Sequence, residues 1–525
     1  MNETDTEPVV IVGAGPVGLV TSLLLARFGV PTVVLEAAAR RDPTGSKAIC
    51  FQRDVLDILD RVGCAEKMIA RGVTWTTGRT YYRDTELFAV TFPTTGRSTV
   101  PPWINISQAD LERYLLDLAA ENPLIDLRYG HPVIGLQQDE TGVEVDVATA
   151  TARVVVRGSH LVAADGSKST IRQLLGIGFP GRSFSDQFLI CDIRADLPFP
   201  NERRFYFDPE WNPGRQVLVH QCPDRTWRID WQVPADYDLH AERASGALDA
   251  RIRKITGDTP YEIVWVSAYR FHQRRAETFR RGQAFLAGDA AHLYAPFGAR
   301  GLNSGVQDAE NLAWKLAYVR RGLAPEELLA SYDIERRAAS GENLAVTTRT
   351  MEFLVPHTPD EHARRSAALK AALTDPDART SIDSGKLAEP YWYLDSPLTT
   401  PSGPVGGFPR APGAVRPPIP GVLCPDAPCV VDGHRTRLRR LLGTGLVALT
   451  GNDEHSEEIS KRLQGLPVRS YALEAIDTTG VLRAALDAGP DTVHLLRPDG
   501  HLAAVLRDFD FEALARAVRR AVGHR

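Results

Sequence analysis

Three stretches of the chain carry residue types and spacings suited to ligand chemistry. The first is Gly13-x-Gly15-x-x-Gly18, in "VVIVGAGPVGLVTSLLLARFGV". Its glycines serve a tight turn, close approach of backbone to a pyrophosphate, and helix–strand packing. Glu36 follows at the end of a second apolar run, where a carboxylate can accept hydrogen bonds from a ribose. The second stretch is "AADGSKSTIR", residues 163–172, in which Asp165-Gly166 reads equally as an ordinary turn or a ligand turn. The third is "GDAAHLYAPFGARGLNSGVQDAENLAWKL", residues 288–316. Here Asp289 closes an apolar run, where a carboxylate suits a polyol. Pro296, Gly298 and Gly301 let backbone pass close to a flat ligand without side-chain obstruction.

Each stretch needs an element to position it. Residues 9–36 read as strand, glycine turn, helix and strand, the opening of a parallel sheet. "SQADLERYLLDLAAE" reads as a helix capped by Ser107, with Asp110 three residues on. The third stretch predicts a helix starting near Asn303 and Ser304, with Val306, Ala309, Ala313, Leu316 and Ala317 as its apolar stripe. Its N-terminus would stabilise negative charge on a ring placed before it. Between Phe179 and Arg270 the texture becomes alternating and aromatic, as in an antiparallel sheet with one covered face. Residues 396–428 are dense in Pro and Gly, and a small α/β unit of about 100 residues follows. In it, strands are expected at "CVVDG", "GLVALTG" and "TVHLLRPDGHLAAVL", and helices near 435–442, 455–463 and 510–523.

Bulk composition narrows the class. A chain of 525 residues with 43% hydrophobic content builds two or three globular domains. Sixty-one basic against 66 acidic residues give a net charge of −5, which argues against nucleic acid or an acidic membrane as partner. No apolar run is long enough to span a membrane and no signal peptide is visible. Six scattered cysteines suit free thiols in a reducing cytoplasm, and they form no zinc-like cluster, so no metal is expected.

Taken in order, the three stretches resemble the signatures of single-component flavoprotein aromatic hydroxylases of the p-hydroxybenzoate hydroxylase and phenol hydroxylase type. The resemblance covers about residues 7–395. It implies an α/β architecture: a Rossmann-like FAD-binding domain (residues 1–178 and 271–395) with an inserted, mostly antiparallel substrate sheet (179–270, joined by about 74–106). A linker (396–420) and a thioredoxin-like α/β domain (421–525) follow. The tail lacks CxxC, and a homodimer is a possibility for a tail of this kind. By position, the resemblance implies that Gly13, Gly15, Gly18 and Glu36 take the pyrophosphate and ribose. Asp289 would hold the ribityl chain, and Pro296, Gly301, Leu302 and Asn303 would line the flavin ring. Gln108 would contact FAD, Asp165 would support the pyrophosphate region, and Lys47 stands where the family carries a flavin-phosphate arginine. Lysine keeps that charge without the bidentate fork. Arg300 stands where the named hydroxylase carries lysine, and either tunes the flavin or pins its loop.

The implied activity is NADPH- or NADH-dependent hydroxylation of a small aromatic substrate with O2, through a flavin C4a-hydroperoxide. No second dinucleotide fingerprint is present, so the nicotinamide would bind transiently. Baeyer–Villiger or epoxidising chemistry would share every motif, and a non-catalytic FAD-binding protein is the remaining alternative. A halogenase would need Trp-x-Trp-x-Ile-Pro, which "TWRIDWQV" does not supply. Arg300, Tyr206, His220 and Trp231 are the catalytic candidates. Tyr269 and Tyr294 are further pocket candidates, and His292 reads as structural.

Overall fold

The computed structural model describes residues 7–41, 48–92, 100–401, 408 and 415–524. Five short apolar segments assemble into the parallel part of a six-stranded sheet. Its strand order is Arg280–Arg281, Ala284–Leu286, His160–Ala163, Val9–Val12, Thr32–Leu35, Ile125–Arg128, with only the first strand antiparallel. The four inner strands are buried along their whole length, because helices cover both faces of such a sheet. Strand order reverses between Val9–Val12 and His160–Ala163. The carboxyl ends flanking such a switch point form a crevice where ligands bind in open α/β sheets. All three stretches singled out above lie at carboxyl ends there: Gly13 follows Val12, Asp165 follows Ala163, and Gly288-Asp289 follows Leu286.

The helix Pro16–Arg27 carries proline in its first turn, as suits a helix start. The helix Gly301–Arg320 lies against it. That second helix begins at Gly301, two residues before the expected Asn303, so Asn303 and Ser304 sit inside its first turn instead of capping it. Ser107 caps the helix Gln108–Ala120 as expected, but its hydroxyl accepts from Ala109 N–H (3.2 Å), not from Asp110.

An eight-stranded sheet covers the crevice side. Its order is His292–Leu293, Tyr261–Arg275, Gly181–Ala195, Thr226–Val233, Gln216–Cys222, Arg203–Phe207, Thr77–Tyr82, Thr85–Thr91. Residues 77–91, from the early part of the chain, therefore complete it, and its long strand Tyr261–Arg275 extends past the expected limit at 270. At the other edge, His292–Leu293 pairs with Arg274 and Arg275, which joins the first part of the third stretch directly to this sheet.

Residues 446–506 form a four-stranded sheet in the order Val468–Ala472, Leu446–Thr450, Val493–Leu496, Leu502–Leu506, with the first pair parallel and the others antiparallel. Helices Asp453–Arg462, Leu473–Ile476, Val481–Leu486 and Phe511–Ala521 accompany it, giving the order β-α-β-α-α-β-β-α. The helix expected near 435–442 is instead a strand, His434–Arg437, running into a 3-10 turn, Leu438–Leu441. Arg437 and Arg439 there are buried by ion pairs that no local pattern announces.

Candidate active site

The glycine loop is locked from beneath. Gly13 adopts φ 103°, and a Cβ on it would meet Ala164 O at 2.4 Å. A Cβ on Gly18 would stand 2.0 Å from Gly13 O. Val17 wedges between Gly288 and Gly305, whose added Cβ atoms would each lie within 3 Å of its Cγ2. That wedge sets the starts of the two long helices side by side. Glu36 closes the loop by accepting from Ala14 N–H and Ala38 N–H, both at 2.9 Å.

Two glycines have no such explanation within the protein. Gly15 and Gly301 have ordinary φ and no protein atom within 4 Å of an added Cβ, a combination found at no other described glycine. Each opens a long helix. Gly301, the first helical residue, forgoes about 0.4–1 kcal/mol of stability relative to alanine, whereas Gly15 stands at an N-cap, where glycine is preferred to alanine. Space for a ligand is the physical reason that remains, and it exists at both helix starts.

Asp165 accepts from Ile171 N–H (3.1 Å) through one oxygen, while its buried Oδ1 has no partner among the described residues. Burial raises its pKa. Arg172 is buried. It donates to Ala290 O (2.8 Å) and Ser167 O (2.9 Å), tying the second motif to the third. Asp289 is exposed in the crevice region. Leu302 packs half-buried on the main core. Asn303 donates to Cys50 O (2.9 Å) and accepts from Gln52 N–H (3.2 Å), fixing the strand Cys50–Gln52 against the helix start. Gln108 accepts from Ala48 N–H (3.3 Å) and donates to Glu112 (2.8 Å). Pro296 is exposed at the head of the flanking loop. Lys47 lies outside the described residues.

Arg300 is buried behind its loop. It donates to Asn343 Oδ1 and to Lys386 O (3.0 Å), and Gly298, at φ 91°, packs between them. Burial lowers its pKa to about 10, still cationic near neutrality. These contacts are those of a loop peg. His292 donates through Nε2 to Asp308 Oδ2 (2.7 Å), stacks on Tyr294, and belongs to a buried cluster with Arg336 (2.6 Å from Asp308).

The eight-stranded sheet sorts the aromatic candidates by alternation. Tyr206, Val217 and Trp231 are direct cross-strand neighbours on its outer face, and Trp231 packs in the core with Leu248 and Ile252. Tyr206 stacks on Tyr81 there at 4.7 Å. Both are turned away from the crevice, which removes them from the catalytic candidates. Aromatic composition alone does not tell which face of a strand is which. His220 points inward, 3.9 Å from Cys50 Sγ, and burial, with Arg203 and Arg228 nearby, holds its pKa well below the usual range. Tyr269 is half-buried on the same face.

Two inner-face residues escaped sequence reading. Asp230, one position from Trp231, carries a buried Oδ1 without a partner among the described residues, and burial raises its pKa to about 7. Burial raises the Tyr269 phenol pKa, and the charges of Asp230, on the inserted sheet, and Asp289, in the third stretch, add to it. Arg203 is buried on the wall of a cavity of about 600 Å³. Gln52, Trp103 and Arg349 also line it, and Arg416 and Arg439 close it from the C-terminal side. Only the period-two register of Arg203–Phe207 could have flagged Arg203, and its charge argued against an inward position.

The description of one family model, FAD binding domain, matches residues 6–347. That is well over half of the chain. The chain belongs to this FAD-binding family. Among similar proteins, para-nitrophenol 4-monooxygenase of Pseudomonas sp. (strain WBC-3) is 30% identical over 377 residues, covering 70% of this chain and 92% of that protein. The 12-dehydrotetracycline 5-monooxygenase/anhydrotetracycline 6-monooxygenase of Streptomyces rimosus is 29% identical over 528 residues, covering 94% of each. A crystal structure of the flavin-dependent monooxygenase PieE with FAD and substrate shares the fold, with TM-score 0.85, 24% identity and 99% of each chain covered. The protein is thus a flavoprotein of the aromatic-hydroxylase type, and FAD is its cofactor. The open Gly15 and Gly301 and the partnerless Asp165 oxygen fit that group. Among the described residues, no helix is long and apolar enough to cross a membrane, and no three His, Cys, Asp or Glu side chains group as metal ligands.

Proposed function

We propose that the chain is a single-component monooxygenase that uses NADPH or NADH and O2 to place one oxygen atom on a phenolic or other electron-rich aromatic ring. FAD, when bound, supplies the redox and oxygen chemistry. The N–H groups at the start of Pro16–Arg27, opened by Gly15, hold the pyrophosphate, with Lys47 and Asp165 beside it. Glu36 takes the ribose, Gln108 steadies that end, and Asp289 takes the ribityl chain. Gly301, Leu302 and Asn303 line the ring, and the Gly301–Arg320 helix start favours negative charge there. The inner face of the sheet covers the ring and excludes water. A cytoplasmic setting and a homodimer belong to the same reading.

The observation that carries it is the pair of glycines, one at each helix start, whose missing side chains no protein atom requires. Gly301→Ala is expected to fold with unchanged or slightly raised melting temperature, Gly15→Ala to fold with a melting temperature lowered by a few degrees, and both to lose FAD affinity by tenfold or more, read from the flavin absorbance of the purified proteins. Full flavin occupancy in both variants would count against the assignment. Wild-type protein should oxidise NADPH or NADH faster when a suitable phenol is present and yield a hydroxylated product. A lactone or epoxide would move the reading to the sister chemistries on the same scaffold.

A further inference from the structure

The acidic residues of the 600 Å³ cavity are all committed to other groups. Asp54 is held by Arg416 (2.6 Å) and Arg439 (2.6 Å), and Asp426 by Arg437 (3.0 Å). Asp383 accepts from Thr350 (2.8 Å) and Gly385 N–H (2.8 Å), and Glu389 lies 3.8 Å from Arg416. Arg203 is different. It is 6% exposed, it donates to Ser384 O, it lies over the Phe205 ring at 5.1 Å, and among the described residues no carboxylate stands within ion-pair distance of it; Asp383, already held by Thr350 and Gly385, acts on it only from further off. A buried guanidinium without a counter-charge is costly, by several kcal/mol on general grounds, unless an anion joins it.

A second feature lies beside it. Gly78 pairs with Arg203 across the strands, so it shares the inner face. Its φ is ordinary, and the nearest atoms to an added Cβ are Arg203 Cβ at 3.9 Å and Cδ at 4.0 Å. Glycine weakens a strand interior, and one with room around it marks a place where another group approaches. The cavity therefore combines a buried cation, a cleared space next to it, and a volume suited to a drug-sized molecule; a single phenol ring would fill it poorly.

We infer that this cavity takes a multi-ring aromatic substrate bearing an anionic group, a carboxylate or an ionised enol, and that Arg203 binds that group while the ring system lies over Gly78. The inference rests on the monooxygenase reading for the identity of the ligand as substrate. Burial lowers the Arg203 pKa to about 10, so the guanidinium remains charged at neutral pH and available to an anion. Charge-assisted hydrogen bonds of this kind also orient a planar carboxylate or enolate, since two guanidinium N–H groups lie in one plane.

The test is titration calorimetry of the full chain saturated with FAD, using anthracene-2-carboxylate, its methyl amide, and benzoate. Flavin absorbance of the same samples scores the cofactor reading separately, so a protein that takes no FAD sinks that reading while the calorimetry still scores this one. Wild type is expected to bind the anthracene acid about 10- to 100-fold more tightly than the amide, and more tightly than benzoate. Arg203→Gln should abolish the acid-over-amide preference with amide affinity unchanged, and Arg203→Lys should restore part of it. Gly78→Leu should weaken the anthracene acid while leaving benzoate unaffected, which reads the site even if Arg203→Gln fails to fold. No binding of the acid, equal binding of acid and amide by wild type, or a preference that survives Arg203→Gln overturns the inference.

Discussion

Glycine 18 and glycine 15 stand three residues apart and answer to different demands. An added methyl at Gly18 would meet a carbonyl oxygen at 2.0 Å, so Gly18→Ala is expected to damage the fold itself and lower soluble yield, whereas Gly15→Ala should spare the fold and act chiefly on the ligand. Asp230 gives a second test at single-residue resolution. Its carboxyl titrates near 7 in the folded chain, against about 4 when unfolded, so the folded state holds its proton more tightly. Stability from this group is complete below about pH 4 and is lost as pH rises toward 7, by at most roughly 4 kcal/mol. Asp230→Asn should therefore raise the melting temperature at pH 8 and leave it nearly unchanged at pH 4; equal effects at both values would contradict the buried position. The glycines and Glu36 were legible in sequence because backbone turns leave a local spacing signature. Asp230 and Arg203 were not, since a charged residue between apolar neighbours reads as outward-facing until the sheet's register is known. Tyr206 and Trp231 misled for the converse reason: large aromatics mark a core, and this sheet has a core on each side.

The helix Arg53–Arg61 shows how an element can serve two neighbours. Asp54, Asp57 and Asp60 recur at three-residue intervals, which places them along one stripe. Against them stand Arg416, Arg437, Arg439 and Arg440 from the linker and the C-terminal unit. Asp57 meets two of these guanidinium groups, one of them Arg439 at 2.5 Å. Removing one side of a buried pair leaves the other charged and desolvated, which typically costs about 3–5 kcal/mol. Asp57→Ala should lower the free energy of unfolding by about that amount, measured by chemical unfolding; a loss below about 1 kcal/mol would show that the pair is solvated. Neither side of this stripe was legible: the helix Arg53–Arg61 was not read from the sequence, and the strand and 3-10 turn at residues 434–441 were expected as a helix. Their partnership left no signal either, because the residues concerned lie nearly 400 positions apart and ion pairs leave no period.

Across the whole molecule, the C-terminal unit is not an appendage. Leu446, Ala448, Val493, Leu514 and Ala517 belong to the same apolar core as Val9, Leu19, Trp314 and Tyr318. Arg497 reaches Glu335 (2.9 Å), and Trp314 donates to Asp499 (3.2 Å). The composition shift at residues 396–428 correctly signals a boundary in the chain, yet the two sides share one interior. A chain ended at residue 420 should therefore be recovered mainly as aggregate; a soluble, flavin-loaded protein with wild-type melting temperature would contradict the shared core. The inserted sheet carries a different consequence. Its outward residues are buried under a core of their own, which anchors the strands without reference to what lies beneath. Those inward residues that face the cavity instead of the inner core, Gly78, Thr80 and Arg203, can then change one at a time under selection for a new ring system, whereas Tyr82, Phe205 and Phe207 pack a core and cannot. Diversification of this enzyme should accumulate at positions 78, 80 and 203, and laboratory evolution directed there should meet fewer folding failures than at 82, 205 and 207.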